Sequence, residues 1–140
     1  MEIKIKKLDN RATMPQAMHP GDAGFDVSSL DDVLLPAGQR TVLKTGVAIA
    51  IPEGYWGNVR DRSGLAVKHG LHTLAGVVDS NYRGELVVAM INLSDEDYQI
   101  KAGDRIAQLI IEKHESPVFA ETKELDQTVR GAGREGSSGY

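Results

Sequence analysis

The chain has 140 residues, of which 41% are hydrophobic and 26% charged, with a formal net charge of −4 at pH 7. That length suits one domain with its own buried core, and the balance is that of a folded globular chain; its acidity argues against a nucleic-acid backbone as partner. The absence of cysteine excludes disulfides, thiol catalysis and cysteine-ligated zinc, and fits a reducing, cytoplasmic compartment.

The N-terminal "MEIKIKKLDN" lacks the apolar centre of a signal peptide. No apolar run reaches membrane length, so neither export nor a membrane partner is expected. Residues 2–8 instead alternate Ile3 and Ile5 with lysine, the pattern of a half-buried strand. The stretch "RATMPQAMHPGDAGFDVSSL" (11–30) is a long connection that closes into a strand at "AGFDV" (23–27). Long irregular connections in compact domains are more often functional than idle. Short β-rich runs then recur at 33–35, 41–51, 55–60, 71–78, 85–93, 98–100, 105–112 and 117–122. Turn signals separate them: "PAG", "PEG", "NYRG", "SDED" and "AGD". Many short strands at this spacing predict an all-β fold of antiparallel strands, a sandwich, jelly roll or barrel. The one helix candidate is "GLAVKHG" (64–70), stopped by Gly70.

Two stretches carry groups with chemical potential. "GVVDSNYRGE" (76–85) reads as a β-hairpin with Asp79 and Tyr82 at its mouth. An aspartate at a strand end is usually a turn-former; held at the rim of a pocket, it can take a proton from water. "DRSGLA" (61–66) places Arg62, the Ser63 hydroxyl and the Gly64 N–H where a strand becomes a helix, a corner able to face phosphate oxygens. Plain helix capping by Ser63 explains Ser63 and Gly64 but leaves Arg62 idle. "GDRIAQ" (103–108) reads as a Gly-Asp turn feeding a strand. His19, His69, His72 and His114 show no metal-ligand spacing, and His69 and His72 read as structural.

The chain ends "RGAGREGSSGY" (130–140). Gly131, Gly133 and Gly136 match G-x-G-x-x-G, but no helix follows to carry a pyrophosphate, so the dinucleotide reading fails. A frayed terminus and a phosphate loop without a helix of its own both remain, and the tail alone favours the first.

Taken in order, "AGFDV", "RSGLA", "GVVDSNYRGE", "GDRIAQ" and "RGAGREGSSG" resemble the five motifs of the trimeric dUTP pyrophosphatases, the dUTPases. The resemblance spans nearly the whole chain, and "GVVDSNYRGE" is its most specific element. It implies a jelly roll that forms a homotrimer with three shared active sites. "AGFDV", "RSG" and "GDRIAQ" would come from one chain, the hairpin from a second and the arm from a third. The chain would then divide into a β core, 1–124, and a flexible arm, 125–140, that closes over a neighbour's substrate.

The same resemblance implies roles. Asp79 would activate the water that attacks the α-phosphorus of dUTP, releasing dUMP and pyrophosphate. That reaction supplies dUMP and keeps uracil out of DNA. Tyr82 would pack on the deoxyribose and exclude a 2′-hydroxyl, and the backbone of Gly76, Val77 and Val78 would read the uracil edge. Arg62, Ser63, Gly64 and Gln108 would bind phosphate, with Arg130, Gly136, Ser137 and Ser138 of the arm over the terminal phosphates. Mg²⁺ would sit on the three phosphates with water in its remaining positions, and Asp26 would touch that hydrated ion or the sugar. The family arm reads Arg-Gly-x-Gly-Gly-Phe-Gly-Ser-Thr/Ser-Gly, with the phenylalanine stacked on uracil. Here Arg134 and Glu135 replace the Gly-Phe pair. Two other readings share the fold: a dCTP deaminase or bifunctional dCTP deaminase–dUTPase, and a non-catalytic, nucleotide-binding regulatory trimer, against which the intact Asp79 speaks.

Overall fold

In the computed structural model, which describes residues 1–134, short antiparallel strands account for nearly all regular structure. They are β1 (Lys4–Lys7), β2 (Gly24–Ser28), β3 (Val33–Leu35), β4 (Arg40–Ala50), β5 (Tyr55–Asp61), β6 (Leu71–Leu74), β7 (Val77–Val78), β8 (Glu85–Asn92), β9 (Tyr98–Ile100) and β10 (Arg105–Lys113). One helix, α1 (Ser63–His69), interrupts the series. The strands form two four-stranded sheets, ordered β1-β4-β8-β6 and β2-β10-β5-β7, and a two-stranded ribbon, β3-β9. This is the jelly roll expected of the sequence. Among the described residues no helix is long and apolar enough to cross a membrane.

Alternation decides which faces meet. Along β8, Leu86, Val88, Met90 and Asn92 are buried while Val87 is exposed, as the period-2 geometry of a strand requires. Leu43 and Val47 of β4, Val59 of β5 and Ile106 and Leu109 of β10 meet them in one core cluster. Each such side chain contributes roughly 1.5–3 kcal/mol by leaving water. Truncating one, as in Leu43→Ala, should cost about 2–5 kcal/mol once the cavity is included. Asn92 is fully buried yet satisfied: its amide donates to the Leu35 and Glu96 carbonyls, and its Oδ1 accepts from Ser94.

α1 stops where expected. Gly70 takes the left-handed conformation (φ 64°, ψ 21°) and returns its N–H to the Ala66 carbonyl.

Three expectations need correction. The run 71–78 is not one strand. Ala75 and Gly76 adopt positive φ (63° and 122°), so β6 and β7 separate and enter different sheets. Gly76 also packs flat against β5, where an added Cβ would lie 2.7 Å from the Val59 carbonyl oxygen. Second, 76–85 is not a hairpin. β7 pairs with β5 (Gly57↔Val78, Asn58↔Val77), whereas β8 lies between β4 and β6. Residues 79–84 therefore cross from one sheet to the other. Third, 117–122 forms no strand; Val118 and Phe119 are 94% and 95% exposed. A strand needs a partner's hydrogen-bonding edge, and this segment meets none within its own chain.

Candidate active site

The crossover 79–84 is held open and rigid by its own groups. Tyr82 N–H returns to the Asp79 carbonyl at 3.1 Å, and Arg83 Nη1 donates to the carbonyls of Ser80 and Tyr82. The Tyr82 hydroxyl donates to the Glu85 carbonyl at 2.9 Å. Glu85 is itself pinned, its Oε1 accepting from the Gly46 N–H at 2.8 Å. That donor is free because the β4–β8 register shifts between Lys44 and Ala48. A loop tied at these points presents Asp79 in a fixed, exposed position beside a cavity of about 270 Å³. Gly76, Val77, Val78, Asp79 and Tyr82 all line it. β7 is the edge strand of its sheet, so one side of its backbone has no strand partner and can read a ligand's hydrogen-bonding edge.

A second cluster forms where β5 becomes α1. Arg62, not Ser63, occupies the N-cap position, and no side chain caps the helix. The Ser63 hydroxyl is thus not the helix cap, contrary to the bland reading of the sequence. Leu65 and Ala66 N–H groups both turn back to the Arg62 carbonyl. Ser63 and Gly64, first and exposed, keep the outward N–H groups that a helix start cannot satisfy internally. Arg62 is prepositioned: Nε donates to Asp26 Oδ1 at 3.1 Å and Nη1 to the Arg105 carbonyl at 3.1 Å. The guanidinium keeps further donors on Nη2. Asp26 Oδ2 also accepts from Arg105 Nη1 at 3.1 Å. Asp26, 13% exposed, therefore holds two arginines at the rim of β2 and β10. Gln108 pairs with Asp26 across the β2–β10 ladder and with Arg60 across β10–β5. Its side chain lies over Gly24, where an added Cβ would force that side chain to shift, and donates to the Asp61 carbonyl at 2.8 Å.

Hence the structure brings the expected residues together as two groups: Gly76, Val77, Val78, Asp79 and Tyr82 in one cavity, and Asp26, Arg62, Ser63, Gly64 and Gln108 around the strand-to-helix corner. The cavity around Asp79 contains no member of the second group. Arg130 belongs to neither; its Nε closes a local turn onto the Gly133 carbonyl at 3.1 Å. Gly136, Ser137, Ser138 and Glu135 lie outside the described residues.

The family model for dUTPase matches residues 10–139. The chain belongs to the dUTPase family. It is 49% identical over 137 residues to a deoxyuridine 5′-triphosphate nucleotidohydrolase of Paramecium bursaria Chlorella virus 1, covering 98% of this chain and 97% of the relative. It is 47% identical over 137 residues to the Arabidopsis thaliana protein of that name, covering 98% and 82%. Among solved structures, it is similar to a Staphylococcus bacteriophage 80alpha dUTPase variant with dUpNHpp: TM-score 0.94, 32% identity, 99% of both chains. It is also similar to a variant dUTPase of the S. aureus phage phi11 described with a structural Mg(II) ion: TM-score 0.83, 31% identity, 89% of this chain and 98% of that one.

Sequence reasoning about this dUTPase-family chain passed over three participants. Arg105 was quoted within "GDRIAQ" without a role, yet it anchors Asp26 and Arg62. Glu85 ends "GVVDSNYRGE" and fixes the crossover. Asp61 accepts from His72 and Thr73 on the opposite sheet. Burial alone would raise the Asp61 carboxyl, but hydrogen bonds from the His72 ring, the Thr73 N–H and the Thr73 hydroxyl outweigh it and hold it below the ordinary value. The only signal for these was an arginine or an acid within a quoted motif, with no periodicity to mark its partner.

Proposed function

We propose that this dUTPase-family protein hydrolyses dUTP to dUMP and pyrophosphate at a site completed by other copies of the chain, with Asp79 as the general base. The observation that supports this reading most is the separation of the two groups. Asp79 stands at a cavity edged by β7 and Tyr82, whereas the anion-binding corner Arg62–Gly64 belongs elsewhere on the same chain. In this reading a second copy joins them over one nucleotide, and a homotrimer in which the arm comes from a third follows the family pattern.

The unpaired backbone edge of β7 hydrogen-bonds the uracil ring, and Tyr82 walls the deoxyribose. Asp79 accepts a proton from water as that water attacks the α-phosphorus in line. The bond from the α-phosphorus to its bridging oxygen breaks, and pyrophosphate leaves. Arg62, the Ser63 hydroxyl, the Gly64 N–H and Gln108 of a neighbouring copy donate to phosphate oxygens, where negative charge grows in the transition state. Arg130, Gly136, Ser137 and Ser138 cover the terminal phosphates.

Mg²⁺ fits this donor set through the substrate. Among the described residues no group of three or more His, Asp or Glu could hold a metal ion, and Asp26 is committed to Arg62 and Arg105. The triphosphate with water is the oxygen-rich shell the ion prefers, and Asp26 would meet it through a bound water. Bound there, the ion would spread charge over the phosphates.

The decisive assay is pyrophosphate release by purified protein offered dUTP, dTTP, dCTP and UTP with Mg²⁺, together with the protein's mass in solution. Pyrophosphate from dUTP alone, from a trimer, supports the reading. Ammonia from dCTP, or a fully active monomer, would overturn it.

A further inference from the structure

We propose that Asp61 is a positioning residue for the phosphate-binding corner, holding Arg62, Ser63 and Gly64 in register through a clip to the opposite sheet. The proposal rests on reading that corner as the phosphate site.

Asp61 is the last residue of β5, and α1 begins two residues later with Ser63. Within that step the chain turns from extended backbone at Arg62 (φ −85°, ψ 123°) into a helix. A reversal this abrupt is usually fixed by a capping side chain, but none caps α1. None of the helix's residues is fully buried; Leu65 packs against the core and the His69 ring lies 4.8 Å from that of Tyr98, which holds the body of the helix but not Ser63 and Gly64 at its start. Asp61 supplies the missing constraint from behind. Its Oδ1 accepts from the Thr73 N–H at 2.6 Å and the Thr73 hydroxyl at 2.7 Å, and its Oδ2 from His72 Nδ1 at 2.7 Å. Because an ionised carboxylate only accepts, the His72 hydrogen is assigned to Nδ1. The Asp61 carbonyl accepts from Gln108 Nε2 at 2.8 Å, and its backbone pairs with Ala107 on β10.

One residue thus ties β5 to β6 of the other sheet and to Gln108, itself a member of the corner. Thr73 is buried, so the clip has a fixed floor. The consequence is geometric. Releasing the carboxylate unties the backbone that leads into Arg62–Gly64 from β6, and the Gln108 amide, bonded to the Asp61 carbonyl, shifts with that backbone. The cavity around Asp79 draws its walls from other residues, Asp61 not among them. Displacements of about 1 Å in a positioning group can cost on the order of 10²-fold in rate.

The test compares a ligand that needs the corner with one that does not. Asp61→Ala, Asp61→Asn, Thr73→Val and Ser63→Ala would be titrated with dUpNHpp and with deoxyuridine, and their kcat and KM for dUTP measured. Asp61→Ala should weaken dUpNHpp about tenfold, the size of one or two lost hydrogen bonds, with deoxyuridine within about twofold of the parent. Asp61→Asn should recover most of the loss, because its Oδ1 still accepts both Thr73 donors. If Asp61→Ala does not fold, Thr73→Val, which removes one donor, is read the same way at about threefold. Equal losses for both ligands, or no loss for either while Ser63→Ala remains selective for dUpNHpp, would show that Asp61 merely joins the sheets. If Ser63→Ala leaves dUpNHpp binding unchanged, the phosphate assignment of the corner falls, and this proposal with it.

Discussion

The ring of Tyr82 lies directly over Gly84: a Cβ built on Gly84 would come 2.6 Å from the tyrosine Cζ. Together with the bond from the Tyr82 hydroxyl to the Glu85 carbonyl, this bare backbone seats the ring against the cavity it shares with Asp79. Gly84→Ala should therefore displace the ring without altering any group assigned to the reaction. If Tyr82 is the wall that excludes a 2′-hydroxyl, both Tyr82→Ala and Gly84→Ala should lower selectivity for dUTP over UTP, by about tenfold or more. The double variant should be little worse than either single one. Ratios of kcat/KM for the two nucleotides test this; unchanged selectivity in Tyr82→Ala would remove the assignment.

Asp79→Asn keeps the shape of the crossover and one accepting oxygen but cannot take a proton. Loss of a general base typically costs roughly 10²–10⁴-fold in turnover. Binding of dUpNHpp should change little, and a variant within a few-fold of the parent in dUTP turnover would exclude Asp79 as the base.

Deleting residues 130–140 should separate folding from turnover. β10 ends at Lys113, and every described residue from there on is exposed. The melting temperature without ligand and the oligomeric mass should be nearly those of the parent. Turnover should fall steeply if the arm excludes water and orients the triphosphate. Full activity in the truncated chain would mark the tail as a frayed end. Glu135→Phe should tighten substrate binding, since base–aromatic stacking contributes about 1–3 kcal/mol.

Asp61 also sets an acid limit. Its folded pKa lies below the ordinary carboxylate value, so the ionised carboxylate stabilises the fold fully above the unfolded pKa of about 3.9. That contribution is lost as pH falls through the lower, folded value. Denaturation midpoints between about pH 6 and 3 should therefore fall more steeply below about pH 4 in the parent than in Asp61→Asn, which has no proton to bind. Parallel curves would mean the clip adds no pH-dependent stability.

Local chemistry made much of this protein legible before any fold was known. Alternating apolar residues and turn signals marked β3, β5, β8, β9 and β10 to within a residue or two, and Gly70 marked the end of α1, because these depend on neighbours a few positions apart. The ordered motifs likewise named Asp79 and the Arg62–Gly64 corner. What the tertiary structure alone decided is who pairs with whom. Two positive φ angles at Ala75 and Gly76 send β6 and β7 into different sheets, turning an apparent hairpin into a crossover. The run 117–122 has strand-forming residues but no edge to pair with in its own chain. Asp61 meets His72 and Thr73 only after the sheets close over their core, and Asp26 meets Arg105 only once β2 pairs with β10. Such contacts arise from packing between distant segments, and a pattern read along the chain has no term for them.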